Sequence, residues 1–330
     1  MKKFINAPES VKEEMILGLV KAYPDQLEKL DCGTIVTRKN KKTDKVALIS
    51  GGGSGHEPAH GGFVGTGMLD CAVSGPVFTS PAADQVYEGI KAIANPAGVL
   101  MIVKNYTGDV MNFEMAAEMA EMDDIQTKYV VVADDVAVKD SLYTVGRRGV
   151  AGTIFVHKTA GAMAETGASL DEVHRIAQKA ADNIRTMGAA IAPCTVPAAG
   201  KPGFELGEDE MEVGIGIHGE PGVRREQLKP VNEIAEELLS TVIADFGDLT
   251  GEEVAVLING SGGTPLMELY IINNYVQDRL KEQGISVYKT MVGNYMTSIE
   301  MQGFSITLFK LDDELKGLLD APADTPAWKE

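Results

Sequence analysis

Lys45-Val46-Ala47-Leu48-Ile49-Ser50 runs directly into Gly51-Gly52-Gly53-Ser54-Gly55-His56-Glu57-Pro58. The first six residues form an apolar run of strand length. A glycine-rich turn follows and ends on a histidine. A buried strand that empties into such a turn is how α/β proteins build binding crevices at the carboxyl ends of their strands. Glycines let the backbone approach a small ligand and aim bare N–H groups at it. A histidine at the rim can exchange a proton near neutral pH.

Working outward from this stretch, apolar runs alternate with helical ones. Strands are predicted over 45–50, 71–74, 98–105 and 129–134, and helices over 81–94, 110–122, 153–166 and 169–185. Ser169 and Glu172 have the spacing of a capping box and mark the start of the last of these helices. Strands separated by helices of this length predict a largely parallel sheet covered on both faces. Residues 186–209 are rich in Pro, Gly and Ala and read as a crossing between domains. The α/β style then resumes, with strands predicted over 211–217, 253–258, 285–292 and 304–311 and helices over 230–246 and 264–281. The expectation is an α/β protein of two α/β domains, each with a central, largely parallel or mixed sheet covered by helices. The first spans 1–185 and the second 186–330.

Composition narrows the function. The chain has 330 residues, 44% of them hydrophobic, and a formal charge of −18 from 48 acidic and 30 basic residues. Nucleic acid and anionic membrane surfaces call for a basic face, so neither is an expected partner. No apolar run approaches the roughly 18 residues that span a bilayer, and the first residues lack the apolar core of a signal peptide. Cys32, Cys71 and Cys194 are far apart and form neither a zinc spacing nor a disulfide framework. A cytoplasmic protein with reduced thiols is expected.

Three strand-end loops carry proton-handling groups beside glycines: the turn with His56, Lys104-Asn105-Tyr106-Thr107-Gly108-Asp109, and Ile217-His218-Gly219-Glu220-Pro221-Gly222. His56-Glu57-Pro58-Ala59-His60 matches the string H-E-x-x-H, whose zinc chemistry needs both histidines on one helix face. Pro58 is tolerated only at a first helical position, which would leave His56 in the loop. The glycine turn lacks the lysine of a P-loop, and Asn259-Gly260-Ser261-Gly262-Gly263 lacks it too. Gly52-Gly53-Ser54-Gly55-His56 has histidine where a serine-hydrolase elbow has glycine. Asp109 opens a helix, where a first-turn acid and a general base are equally good readings. His218 stands among Gly214, Gly216 and Gly219, which leave room beside its ring for a nucleophile that adds to a carbonyl carbon. His157 and His174 fall inside predicted helices and read as packing or solvent-facing residues.

At these residues the chain closely resembles the dihydroxyacetone-binding K subunits of bacterial dihydroxyacetone kinases. The likeness covers almost the whole chain. It includes 51–58, 104–109, 134–141, 146–149, 197–202, 216–222, 264–266 and 303–308. The resemblance implies that His218 binds the substrate covalently as a hemiaminal. It implies that His56 and Asp109 orient the terminal hydroxyl and remove its proton. Gly53, Ser54, Gly55 and Lys104 are implied to hold the substrate's oxygens. The likeness reaches only the K portion, and fused kinases of the family carry a further helical nucleotide-binding domain. The implied arrangement is therefore the separate-subunit type, with no cofactor on this chain and ATP/ADP with Mg²⁺ on an L-type partner. In the phosphotransferase version an M-type subunit recharges that nucleotide from phosphoenolpyruvate. A homodimer is implied as well. The alternative is a non-catalytic dihydroxyacetone sensor that acts as co-activator of a transcription factor.

Overall fold

The computed structural model describes residues 2–139 and 145–330. In chain order its elements are α1 (Val11–Ala22), β1 (Leu27–Lys29), β2 (Ile35–Arg38), β3 (Ala47–Ser54), β4 (Cys71–Val77), α2 (Ala83–Ile93), β5 (Val99–Lys104), α3 (Thr107–Met122), β6 (Thr127–Val132), α4 (Thr153–Glu165), α5 (Leu170–Asp182), β7 (Ile184–Ala192), β8 (Glu210–Val213), β9 (Arg224–Gln227), α6 (Val231–Phe246), β10 (Glu253–Gly260), α7 (Leu266–Glu282), β11 (Ser286–Gly293), β12 (Gln302–Leu311) and α8 (Asp313–Asp320). Two six-stranded mixed sheets result, each with helices packed on it, and the α/β expectation holds.

The chain divides into two compact units, though not at Arg185. One unit gathers Lys2–Val132, Thr153–Ala181 and Glu314–Glu330; the other gathers Ala133–Gly152 and Asp182–Asp313. The expected boundary lies close to the main change of unit, but the chain makes three further changes. Residues 133–152 join the later strands through backbone bonds of Asp134 and Val136 with Thr186 of β7. The C-terminal segment returns to the first unit, where Trp328 meets Phe155 of α4 edge to face with ring centroids 6.4 Å apart.

In the first unit the sheet order is β1-β2-β4-β3-β5-β6. β3 pairs in parallel with β4 and β5, and β5 with β6, while β1 and β2 add antiparallel pairings at one edge. Every residue of β3 and β5 is buried. That is why both read as unbroken apolar runs rather than alternating ones. Ile49, Met101, Val73 and Ile35 pack against Val86 and Ile90 of α2 and Phe113 and Ala116 of α3. α4 is buried along almost its whole length. Ser169 caps α5 as its sequence suggests, accepting the Glu172 backbone N–H at 3.3 Å. The strand order reverses at β3: the chain steps to β4 on one side, then crosses to β5 and β6 on the other. A crevice therefore opens at the carboxyl end of β3.

In the second unit the order is β11-β10-β12-β7-β8-β9, with only β10 and β11 parallel. The expected crossing at 186–209 begins inside β7, a central strand. The strand expected over 211–217 ends at Val213, because Gly214 turns the backbone at φ +71°. Met187, Val256, Ile258 and Ile306 share a core with Leu238 and Val242 of α6 and Ile272 and Val276 of α7.

Candidate functional site

The first unit brings its sequence-predicted residues to the reversal point of its sheet. Gly51, Gly52 and Gly53 continue β3 beside β4 in register with Val73, Ser74 and Gly75. A Cβ on Gly53 would lie 2.5 Å from the Thr79 nitrogen, and one on Gly51 would lie 2.4 Å from the Val73 carbonyl oxygen. The turn thus needs glycine so that the β4–α2 loop can close on it. A Cβ on Gly52 would lie 2.4 Å from the Lys104 Nζ. Lys104 ends β5, is fully buried, and pairs its Nζ with the Asp109 Oδ2 at 3.3 Å. Asp109 sits in the first turn of α3, where the helix N-terminus favours a negative charge. Its Oδ1 is buried with no hydrogen-bond partner among the described residues. A carboxylate is acceptor-only, so that oxygen is ready to take a proton or a hydroxyl donor.

His56 is fully buried and its ring stacks on Phe78 at 5.1 Å with 20° between planes. Phe78 holds a left-handed backbone at φ +57°, which aims it at that ring. The Ser54 hydroxyl donates to the Gly75 carbonyl at 2.7 Å, leaving its lone pairs as acceptors. The Gly55 N–H donates to both oxygens of Glu57 at 3.1 Å, closing the turn. Residues 56–60 form turns and not a helix, so the H-E-x-x-H string lacks the helix its zinc geometry requires. The His60 Nδ1 instead faces the Nε2 of His157 at 2.9 Å. Among the described residues no group of three or more His, Cys, Asp or Glu could hold a metal ion.

His60 reads from sequence only as part of the H-E-x-x-H string and His157 only as a packing or solvent-facing helix residue, and neither reading anticipates their contact. Burial holds both rings in the neutral form, and the Lys104 charge adds to this, pushing His157 down to about 3 and His60 well below its ordinary value. Buried histidines separated by 97 residues leave no local signal.

The second unit carries His218. Its side chain is half-buried and its backbone N–H donates to the Glu220 Oε2 at 2.8 Å. Gly219, at φ +71°, turns the chain between the two. The Glu220 Oε1 meets the Arg148 Nη1 at 3.2 Å. Arg148 also engages Asp135 Oδ2 through Nε at 2.6 Å and the Gly214 carbonyl through Nη2 at 2.8 Å. Sequence reasoning placed Glu220 only as a loop acid and Arg148 only within a family stretch. Asp140 and Ser141, also in such a stretch, lie outside the described residues.

A family model described as the Dak1 domain matches residues 17–327. The chain belongs to the Dak1 domain family. The PTS-dependent dihydroxyacetone kinase 1, dihydroxyacetone-binding subunit DhaK, of Listeria innocua serovar 6a is 54% identical over 99% of this chain and 100% of its own length. Among solved structures, the dihydroxyacetone kinase operon co-activator Dha-DhaQ superposes with a TM-score of 0.91 at 40% identity, covering 96% of this chain and 98% of that one. The dihydroxyacetone kinase of C. freundii also reaches 0.91, at 35% identity, covering 99% of this chain but 60% of that one. The family assignment made from the motifs therefore stands. Among the described residues no helix is long and apolar enough to cross a membrane.

Proposed function

We propose that the chain is the substrate-binding subunit of a phosphoenolpyruvate-dependent dihydroxyacetone kinase, working as a cytoplasmic homodimer. Phosphate comes from ATP held with Mg²⁺ on a separate L-type subunit, which an M-type subunit recharges. The observation that carries this reading is the Asp109 carboxylate: ion-paired, buried, at a helix N-terminus, with one oxygen unpartnered among the described residues. A protein that only captured a ketone would have no use for such an acceptor.

Capture is assigned to His218. Dihydroxyacetone is so small that contacts alone give little affinity or selectivity. The unprotonated ring nitrogen of His218 adds to the carbonyl carbon. The C=O π pair moves to oxygen, which takes up a proton as the other ring nitrogen gives one up. The product is a neutral hemiaminal, and no atom leaves. Glycerol has no carbonyl and is rejected. Transfer is assigned to Asp109 with His56: Asp109 accepts the terminal hydroxyl proton as that oxygen bonds to the γ-phosphorus, the bond from that phosphorus to the bridging oxygen breaks and ADP leaves on the L-type subunit, and His56 orients the hydroxyl. Lys104, Gly53, Ser54 and Gly55 hold the substrate's oxygens, Lys104 as a cation and the glycines through backbone groups.

Turnover to dihydroxyacetone phosphate by the protein mixed with a purified L-type subunit, Mg²⁺ and ATP tests this reading. A protein that binds the ketone yet transfers nothing would overturn it. The second reading, a dihydroxyacetone-responsive co-activator, draws support from the likeness to Dha-DhaQ. The same assay separates the two.

A further inference from the structure

The loop that presents His218 rests on three buried charges: Arg148, Asp135 and Glu220 are 2%, 1% and 6% exposed. A glutamate two residues beyond a half-buried histidine in a glycine-rich loop would ordinarily point to water. Here it turns inward. A Cβ on Gly216 would lie 1.7 Å from the Glu220 Oε1, so glycine at that position makes the room. Both carboxylate oxygens act as acceptors: Oε2 from the His218 backbone N–H and Oε1 from the Arg148 guanidinium. The planar fork of Arg148 reaches Asp135, Glu220 and the Gly214 carbonyl together, joining both sides of the loop to the segment 133–152. Asp135 is held in turn by the Ala137 backbone N–H at 2.9 Å.

We infer that Glu220, clamped by Arg148, is the positioning residue that fixes the His218 backbone so that its imidazole can add to a ketone. The inference rests on the reading of His218 as the capturing residue. Its chemistry makes a specific demand. Both oxygens of residue 220 must accept, and a glutamine has one acceptor and one donor. Glu220→Gln therefore turns an N–H toward either Arg148 or His218 and fails almost as badly as Glu220→Ala. Arg148→Lys keeps the charge but loses the fork, and it shifts capture in the same direction.

The test combines kinetics with NMR on the full chain. Misplacing a reacting atom by an ångström is worth about 100-fold. Glu220→Ala, Glu220→Gln and Arg148→Lys should therefore raise KM for dihydroxyacetone by about 10- to 100-fold. Saturating ketone refills the adduct, so kcat should stay close to that of the parent. With ¹⁵N-histidine protein and dihydroxyacetone ¹³C-labelled at the carbonyl, the parent shows a carbon–nitrogen coupling, and the variants show it only at raised ketone. The His218 amide should exchange with solvent slowly in the parent and rapidly in Glu220→Ala. Folded Glu220 variants with the parent KM and adduct yield would overturn the inference. So would a parent His218 amide that exchanges at the rate of an open loop, a measurement that needs no variant to fold. If the parent itself shows no coupling, the His218 reading fails, while amide exchange still judges the clamp.

Discussion

The two ends of the sheet in the first unit solve opposite problems with similar residue types. At the amino ends of β3 and β4, buried charges are fully matched. Asp70 accepts from Arg38 at 3.1 Å, from Lys45 at 2.6 Å and from the Leu48 backbone N–H at 2.8 Å. Glu165, at the end of α4, takes Arg38 at 2.9 Å and Lys42 at 2.6 Å. At and just beneath the carboxyl ends the bookkeeping is incomplete: Asp109 Oδ1, His60 Nε2 and His157 Nδ1 are buried without hydrogen-bond partners among the described residues. An unmade buried hydrogen bond costs about 1–3 kcal/mol. A fold keeps such atoms where a ligand will use them and closes its ion network where none will. Under the proposed function, one end serves chemistry and the other stability.

Breaking each end separately tests that contrast, and the largest effect belongs to the chemical end. Asp109→Asn keeps the shape and the helix-start position but loses the proton acceptor. It should slow phosphoryl transfer by about 10²- to 10⁴-fold. Capture, read by the labelled-ketone coupling, should remain, while the melting temperature should fall, because the buried Lys104 charge loses its counter-charge. Transfer at the parent rate would remove Asp109 from the role of base. The next effect belongs to the other end. Asp70→Asn leaves the Arg38 and Lys45 charges buried with one counter-charge fewer. It should destabilise the protein by about 3–5 kcal/mol in denaturant unfolding, since removing one partner of a buried pair strands the other. The folded fraction should keep its kcat. A variant as stable as the parent would mean that the amino-end network is not what holds the sheet.

The contrast also explains which features could be read from sequence. β3 and its glycine turn were plain, because a strand buried on both faces must be apolar and a close backbone approach must be glycine. The Ser169 cap was plain because its partner is three residues away. β7 was hidden: Gly188, Ala189 and Ala190 look like a linker, yet a Cβ on Gly188 would lie 3.0 Å from the Phe304 carbonyl, so small residues are what this central position requires. The return of 133–152 to the second unit was hidden for a similar reason, since it depends on long-range backbone bonds to Thr186. The candidate proton-handling groups were visible as types beside glycines. Their supports were not: Arg148 reaches Glu220 across 72 residues and His60 reaches His157 across 97. Local pattern reveals the group that acts, and only the fold reveals what holds it.

A third prediction sharpens the comparison through pH. His60 and His157 are held neutral by burial and by Lys104, with His157 at about 3 against an ordinary value of 6.5. As pH falls below 6.5, the unfolded chain binds protons at these residues that the folded chain refuses. Stability therefore drops from pH 6.5 downward, by about 1.4 kcal/mol per pH unit for each histidine involved. His157→Gln can still donate an N–H toward His60 while removing one titrating group. Denaturant unfolding between pH 6.5 and 4.5 should show a shallower slope in the variant, by about one proton. Identical slopes would mean that His157 is protonated in the folded protein.

The smallest effect lies at the amino end, in a lower pH window. Burial works to raise the Glu165 pKa, but hydrogen bonds from Lys42 and Arg38 and the nearby Lys45 charge outweigh it and hold the carboxyl at about 2. Its ordinary value is 4.5, so the stabilisation is fully present above pH 4.5 and disappears as pH falls to about 2. The first unit of acidification below that ordinary value should remove about 1 kcal/mol. Glu165→Gln keeps an acceptor for Arg38 but cannot titrate, so its stability should be lower than the parent's at neutral pH and flatter below pH 4.5. The two windows overlap only in part: His157→Gln alone flattens the curve between pH 6.5 and 4.5, and Glu165→Gln acts only below pH 4.5, where His157 also contributes down to about pH 3. If Glu165→Gln instead altered the slope above pH 5, the ion network would be coupled to the histidine pair, and the two ends of the sheet would not be the independent devices that their separate hydrogen-bond sets make them.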